Sequence, residues 1–394
     1  MSNSELLQSP GPKLKLKGRQ RHAASKGHPW VYANELEAPP STLQAGQSCA
    51  LHDSRDRFIG YGLVNPKSNI IWRRYSSHKT ESTLGAQELQ RALAKSIDLR
   101  SEETFCRLVW SDADFLPGLI IDRFGDVAVI QSVTAAMDAR LDIVAAILNE
   151  LLGLKEIVFR CDAPIRSHEG VDKFVRTYSG RPLEPAWYEI DGFQYLLDLQ
   201  DGQKTGFYLD QRPQHKRVGV LASGKRVLDM CCNQGAFAMH CAQAGATEAR
   251  AVDISEACIT ATRKNAENNG LPIETVTANA FDYFSEHKGD SWDVIILDPP
   301  SFARNRKAVN GALKGYKELN LRAIQSLEPG GILATYCCSH HVSQSDFLRT
   351  ISEAAADARR SIRVLEVAGQ PADHPILLNF PESQYLKGFI LQRI

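Results

Sequence analysis

Three segments of the chain place a polar side chain directly after an apolar run, and their order describes a binding chemistry. Val227-Leu228-Asp229-Met230 runs into Cys231-Cys232-Asn233-Gln234-Gly235, a glycine turn ahead of a helical stretch whose free amides suit an anionic or polar group. Asp253 closes a second run, where a carboxylate accepts hydrogen bonds from both hydroxyls of a ribose. Asn279 closes a third, after Val276-Thr277-Ala278, with an amide able to read an adenine edge. Each has a plainer explanation alone: a strand-to-helix turn, a helix cap, a turn or capping asparagine. Three successive strand ends bearing convergent polar groups point instead to an adenosyl cofactor. The dinucleotide fingerprint G-x-G-x-x-G is absent.

Two further segments supply reactivity. Ile296-Leu297-Asp298-Pro299-Pro300-Ser301-Phe302 carries an acid out of an apolar strand, with two prolines fixing the backbone behind it. Ala334-Thr335-Tyr336-Cys337-Cys338-Ser339-His340-His341 puts two thiols at the next strand end. Cytosine C5 is a poor nucleophile until another nucleophile adds at C6, and a thiolate can add there. An acid at N3 stabilises the charge that builds up, a role open to Asp298 if it is protonated or shares a proton with the base. Residue types alone do not choose between Cys337 and Cys338. Methylation of an exocyclic amine needs no cysteine, so in a base-nitrogen methyltransferase both thiols are packing. Zinc is disfavoured, because neighbouring residues at a strand end point to opposite sides and no second ligand pair appears, so no metal is expected.

The elements that must position these groups follow from periodicity. Strands are expected at Arg226 to Met230, Ala249 to Ile254, Ile273 to Ala278, Trp292 to Leu297, Gly331 to Tyr336 and Phe389 to Leu391. Helices are expected at Ala236 to Ala244, from Ser255-Glu256 to Gly270, and over Lys314 to Leu327 and Ser343 to Arg359. The alternation predicts an α/β doubly wound sheet, mostly parallel and seven-stranded, with ligands at the carboxyl ends of its strands. Ahead of it, short strands at Ser48 to His52, Phe58 to Leu63 and Ile70 to Tyr75 suggest a small β-rich module, and residues 78–187 read as an α+β unit. The expected division is 1–12 as a polar N-terminus, then 13–77, 78–187 and 188–394.

With 394 residues, 43% hydrophobic and 23% charged, the chain is long enough for two or three domains and has ordinary globular composition. No apolar run approaches the length of a bilayer span, and Met1 to Pro12 is polar, so neither a membrane nor a secretory signal is expected and the cytoplasm is the expected location. Nine cysteines in a chain of this size read as free thiols. Lys plus Arg and Asp plus Glu both total 46, so only local clusters argue for a polyanionic partner. One lies at Lys13, Lys15, Lys17, Arg19, Arg21 and Lys26, where Lys13-Leu14-Lys15-Leu16-Lys17 alternates like a strand with one basic face. On this pattern alone a lysine-protected edge strand is the favoured explanation. Another lies at Arg304, Arg306 and Lys307, after the proline pair.

The turn from Asp229 to Gly235 resembles the first motif of class I S-adenosylmethionine-dependent methyltransferases, and Asp298-Pro299-Pro300 resembles the pattern of those acting on nucleobases. From about Lys13 onward the chain is similar to the bacterial family of 23S ribosomal RNA cytosine-5 methyltransferases. The resemblance rests on His28-Pro29-Trp30-Val31-Tyr32, Leu116-Pro117-Gly118-Leu119-Ile120-Ile121-Asp122-Arg123-Phe124-Gly125-Asp126, and Lys204-Thr205-Gly206-Phe207-Tyr208-Leu209-Asp210-Gln211-Arg212. It extends through Asp298-Pro299-Pro300-Ser301-Phe302, Cys338-Ser339, Ala372-Asp373-His374-Pro375 and Tyr385-Leu386-Lys387-Gly388. It implies an N-terminal PUA-like domain that binds RNA, a central α+β domain and a class I methyltransferase domain. It also implies S-adenosyl-L-methionine as cofactor, ribosomal RNA as partner, and Cys338 rather than Cys337 as nucleophile. The cofactor contacts it implies are Asp229, Cys232, Asn233, Gly235, Phe237, Asp253, Ile254, Asn279, Ala280 and Asp298, with Tyr208 and Arg212 bordering the site. Asn279 stands where the family more often has a carboxylate. RNA contacts are expected from the two basic clusters, the oligomeric state is open, and a catalytically silent ribosome-assembly factor is the remaining alternative.

Overall fold

The computed structural model describes residues 10–18, 22–100, 102–202, 205–303 and 305–394. They form two compact units. The first comprises the chain up to Ala186, Leu197–Leu209 and Ala372–Ser383; the second comprises Trp187–Leu196, Asp210–Pro371 and Gln384–Ile394.

The first unit holds two five-stranded sheets. One runs, in spatial order, Leu14–Lys15, Ser48–His52, Phe58–Val64, Ile70–Ser76 and Trp30–Tyr32. Leu14 and Leu16 are buried, as the alternation anticipates, while Lys13 and Lys17 face solvent and Lys15 is half-buried. The other sheet runs Phe174–Thr177, Glu156–Cys161, Val127–Ser132, Leu119–Phe124 and Phe105–Trp110. Helices Ala86–Asp98 and Leu141–Leu152 bury their apolar stripes against it. Buried charges cross between the sheets. Glu169 accepts from Asn65 (2.9 Å), Ser68 (2.5 Å) and Arg73 (3.0 Å), and Arg140 donates to the carbonyls of Leu84 (3.0 Å) and Gly46 (3.1 Å). Such groups are tolerated inside because each finds hydrogen-bond partners. The segment Ala372–Ser383 is fastened here by Asp373, whose carboxylate accepts from the Arg107 amide at 2.9 Å, and by Phe380 against Trp30 at 4.7 Å.

The second unit is built on one seven-stranded sheet. Its strands are β1 Arg226–Met230, β2 Glu248–Asp253, β3 Glu274–Thr277, β4 Trp292–Leu297, β5 Leu327–Cys337, β6 Ile362–Gly369 and β7 Lys387–Arg393. The spatial order is β3-β2-β1-β4-β5-β7-β6, with only β7 antiparallel to its neighbours. The helices are α1 Arg212–Val220, α2 Ala236–Gln243, α3 Glu256–Asn268, α4 Ala280–Glu286, α5 Val309–Gln325 and α6 Gln344–Asp357. The central strands β1 and β4 are nearly continuous apolar runs because helices cover both sheet faces, and Leu228, Ile295 and Leu297 sit in one core with Tyr316, Leu333 and Phe347. Ser255 and Ser343 cap α3 and α6 by accepting from the amides of Cys258 (3.3 Å) and Asp346 (3.0 Å). The expected fold class is the one observed. Strand β6 and helices α1 and α4 were not among the expected elements. Among the described residues, no helix is long and apolar enough to cross a membrane.

Candidate active site

The loop after β1 is shaped by three left-handed residues, Cys231 (φ 62°), Asn233 (φ 51°) and Gly235 (φ 80°). Helix α3 holds it from below: Thr262 Oγ1 donates to the Asn233 carbonyl at 3.0 Å, and Asn265 Nδ2 to that of Gln234 at 3.2 Å. A Cβ on Gly235 would lie 2.5 Å from Thr262 Cγ2, and Thr262 is held in place by its own hydrogen bond. Gly235→Ala is therefore expected to lose about 1–2 kcal/mol to the left-handed backbone and about 1–3 kcal/mol to overpacking. Thermal unfolding reads the stability, and titration calorimetry is expected to show weakened cofactor binding; an unchanged melt rejects the constraint.

Asp253, half-buried at the end of β2, accepts from the amides of Asn233 (3.0 Å) and Ser255 (2.9 Å), which fixes the carboxylate beside the first loop. Ile254 beside it is 68% exposed, an apolar face open to a ligand. Asn279 caps α4, its Oδ1 accepting from the Phe281 amide at 2.9 Å, with Ala280 as the first helical residue. Cys232 is buried and its sulfur meets Thr262 Oγ1 at 3.7 Å. Phe237 is also buried, packed edge-on against His215 (4.5 Å) and stacked near Tyr336 (5.6 Å). Arg212 is held by both oxygens of Asp191, at 2.8 and 2.6 Å, whereas Tyr208 belongs to the first unit.

Asp229 is fully buried on β1. Its Oδ2 accepts from the Ala238 amide at 3.1 Å, and its Oδ1 has no partner among the described residues. Burial, reinforced by the charges of Asp298 and Asp253, pushes its carboxyl up to about 8, against the pull of the Ala238 amide. The folded chain thus binds this proton more tightly than the unfolded chain. Its contribution to stability falls as pH rises from about 4 to about 8 and levels off above that. Between pH 5 and 8 the ligand-free Asp229→Asn variant is expected to lose less melting temperature than the parent. Parallel curves would show that the acid is already ionised at pH 5.

Asp298 ends β4 half-buried, its amide 3.4 Å from the Met230 carbonyl. At this edge Leu297 pairs with Met230 on one side and Thr335 on the other, so Asp298 lies among the ends of β1, β4 and β5. The two thiols at the end of β5 differ sharply. Cys337 is completely buried in the core shared with Tyr316 and Phe347. Cys338 is half-buried, and its sulfur lies 3.8 Å from the Pro299 carbonyl, one residue beyond Asp298. Ser339 knits the two loops together. Its hydroxyl shares hydrogen bonds with Ser301 (2.9 Å) and Tyr316 (3.0 Å) and accepts from the Ala303 amide at 3.4 Å. The sequence hinted at this residue only by placing a serine after the reactive pair.

In the basic clusters, Lys13 is ion-paired with Asp56 and Lys15 approaches Glu37 at 4.0 Å, while Lys17 donates to the Asn34 carbonyl at 3.2 Å. Lys26, Arg306 and Lys307 are exposed. Arg19, Arg21 and Arg304, like Lys204, lie outside the described residues. Among the described residues, no three His, Cys, Asp or Glu side chains converge as a metal site.

Residues 14–77 match the PUA-like domain family, and residues 165–383 match the S-adenosylmethionine-dependent methyltransferase family. The ribosomal RNA large subunit methyltransferase I of Aeromonas salmonicida is 34% identical over 392 residues, covering 96% of this chain and 98% of its own. The Shewanella denitrificans protein of that name is 35% identical over 391 residues, with the same coverage. Among solved structures, a chain from Streptococcus mutans provisionally assigned as a SAM-dependent methyltransferase superposes with a TM-score of 0.81 at 21% identity, covering 97% of this chain and all of that one. A second, a provisionally assigned methyltransferase complexed with SAH, gives 0.83 at 22% identity with the same coverage. The chain is therefore an enzyme of the S-adenosylmethionine-dependent methyltransferase family, in the branch that contains the ribosomal RNA large subunit methyltransferase I proteins.

Proposed function

We propose that this methyltransferase modifies C5 of a cytosine in 23S ribosomal RNA, through a transient bond between Cys338 and C6 of the base. The observation that carries the reading is the pairing of a half-buried thiol with the Asp298-Pro299 strand end, 3.8 Å from sulfur to carbonyl, while the neighbouring thiol is sealed in the core. The relatives' names supply the substrate class.

The residues after β1, β2 and β3 suit an adenosyl cofactor. The Oδ1 of buried Asp229, with no partner among the described residues, is a polar atom left for a ligand to pair, and the left-handed turn to Gly235 allows close backbone approach. Asp253 is the candidate for the ribose hydroxyls. With its oxygen engaged in capping α4, Asn279 keeps its NH2 to donate to the adenine edge. The cofactor, when bound, supplies an electrophilic methyl group. Cys338, as thiolate, forms the S–C6 bond, and the displaced electron pair moves through the ring toward N3, where Asp298 shares a proton with the base. C5 thereby becomes nucleophilic. Loss of the C5 proton and cleavage of the S–C6 bond return the thiolate and restore the ring.

The base must leave its stack to reach a sulfur set at a strand end. Exposed Arg306 and Lys307, in the segment after the proline pair, are proposed to grip its backbone, with Lys13, Lys15, Lys17 and Lys26 as the phosphate contacts of the PUA-like module. Arg19, Arg21 and Arg304 belong to the same proposal on sequence grounds. The test is to methylate unmodified ribosomal RNA with labelled cofactor, digest it and identify the nucleoside by mass spectrometry. 5-Methylcytidine is expected; a base-nitrogen product overturns the reading.

A further inference from the structure

Lys387 opens β7 directly opposite Cys337 in the β5–β7 register. Its side chain is almost fully buried, and its ammonium donates to the carbonyls of Ser339 (2.8 Å) and Tyr385 (3.0 Å), wrapping the turn that follows Cys338. An ammonium has three protons to donate, and these two bonds leave one. Among the described residues it has no carboxylate partner, although a buried cation is costly unless something of opposite charge offsets it. The ionisable groups that act on it are the thiols of Cys337 and Cys338, which oppose the lowering effect of burial on the ammonium.

We propose that Lys387 is the positioning residue that supplies the counter-charge for a Cys338 thiolate, so that the sulfur is already ionised near neutral pH. The inference deepens the nucleophile assignment and rests on it. The thiol proton passes to solvent, and the negative charge left on sulfur is offset by the positive charge of the ammonium held on the Ser339 carbonyl. Among the described residues, the other groups near the sulfur are a phenol, an acid, a thiol and an imidazole. Tyr316 of α5 is a buried phenol pushed above its ordinary range by burial and by the thiols. Asp298 of β4 is an acid, Cys337 lies in the core, and His340, in the loop after β5, stands against Tyr385 at 5.6 Å. A thiolate beside a lysine is a reactive one.

The test is the pH dependence of Cys338 alkylation by iodoacetamide in the full chain, followed by peptide mass spectrometry. In the parent, the midpoint is expected at least about one unit below the ordinary cysteine value of about 8.5. Lys387→Met is expected to raise it by about one unit or more, while Lys387→Arg keeps it low, since a shift of one unit is a tenfold change in thiolate. Methyl transfer by Lys387→Met is expected to fall about tenfold at pH 7 and to recover toward pH 9. A parent midpoint at or above about 8.5, or one that Lys387→Met leaves unmoved, overturns the proposal; the parent measurement stands even if a variant does not fold. Retention of methyl transfer by Cys338→Ala would remove the nucleophile assignment instead, while the alkylation midpoint would still report what Lys387 does to that sulfur.

Discussion

Cys338→Ala is expected to lower methyl transfer to ribosomal RNA by on the order of a thousandfold or more while leaving the fold intact, because removing a nucleophile removes the reaction path and not merely a contact. The side chain is half-buried, with its sulfur 3.8 Å from the Pro299 carbonyl, so its loss removes little packing. Cys337→Ala is the contrasting variant. That thiol is completely buried beside Tyr316 and Phe347, so the variant should lose about 1 kcal/mol of stability and retain transfer. Trapping sharpens the comparison: RNA carrying 5-fluorocytosine has no C5 proton to lose, so the adduct cannot resolve. A denaturant-resistant protein–RNA complex is expected from the parent and from Cys337→Ala, and none from Cys338→Ala. If the complex instead disappears with Cys337, the nucleophile lies one residue earlier and the core must open to expose it. If neither substitution matters, the chemistry occurs on a base nitrogen.

The contrast between the two cysteines also marks how far the sequence could be read. Strands β1 and β4 were legible to the residue, because Val227-Leu228 and Val294-Ile295-Ile296-Leu297 are apolar runs of the kind demanded by a sheet covered on both faces. Strand β6 was not, because it pairs on one side only and leaves Val364, Leu365 and Val367 exposed, so no alternation records a buried face. Helix α4 has only seven residues, and its start is marked by Asn279 alone, an amide that suits a ligand contact, a turn or a cap. Contacts closed by tertiary structure left no local trace. Lys387 reaches the Ser339 carbonyl across 48 positions, and Asp373 reaches the Arg107 amide across 266, which draws Ala372–Ser383 into the first unit. The strand-end polar groups were visible one at a time, but the burial that separates Cys338 from Cys337 exists only once α5, β5 and β7 have packed.

Asp298→Ala is expected to lower kcat by about 10²–10⁴-fold, the usual worth of a positioned acid, with cofactor affinity changed far less. Asp298→Asn separates two parts of that role: its amide can still donate a hydrogen bond to N3 but has no proton to transfer, so its kcat should fall between the parent and the alanine variant. Stability supplies an independent signature. The Asp298 charge is one of the causes that push the buried Asp229 carboxyl up to about 8, after burial itself. Removing it brings that carboxyl back toward its unfolded value, so near pH 8 the ligand-free variant should melt no lower than the parent. An activity that collapses while the melting temperature holds or rises describes a residue retained for chemistry at the expense of stability. If kcat and melting temperature fall together, Asp298 is a structural acid at the end of β4, and the group that protonates N3 must be sought elsewhere on the same rim.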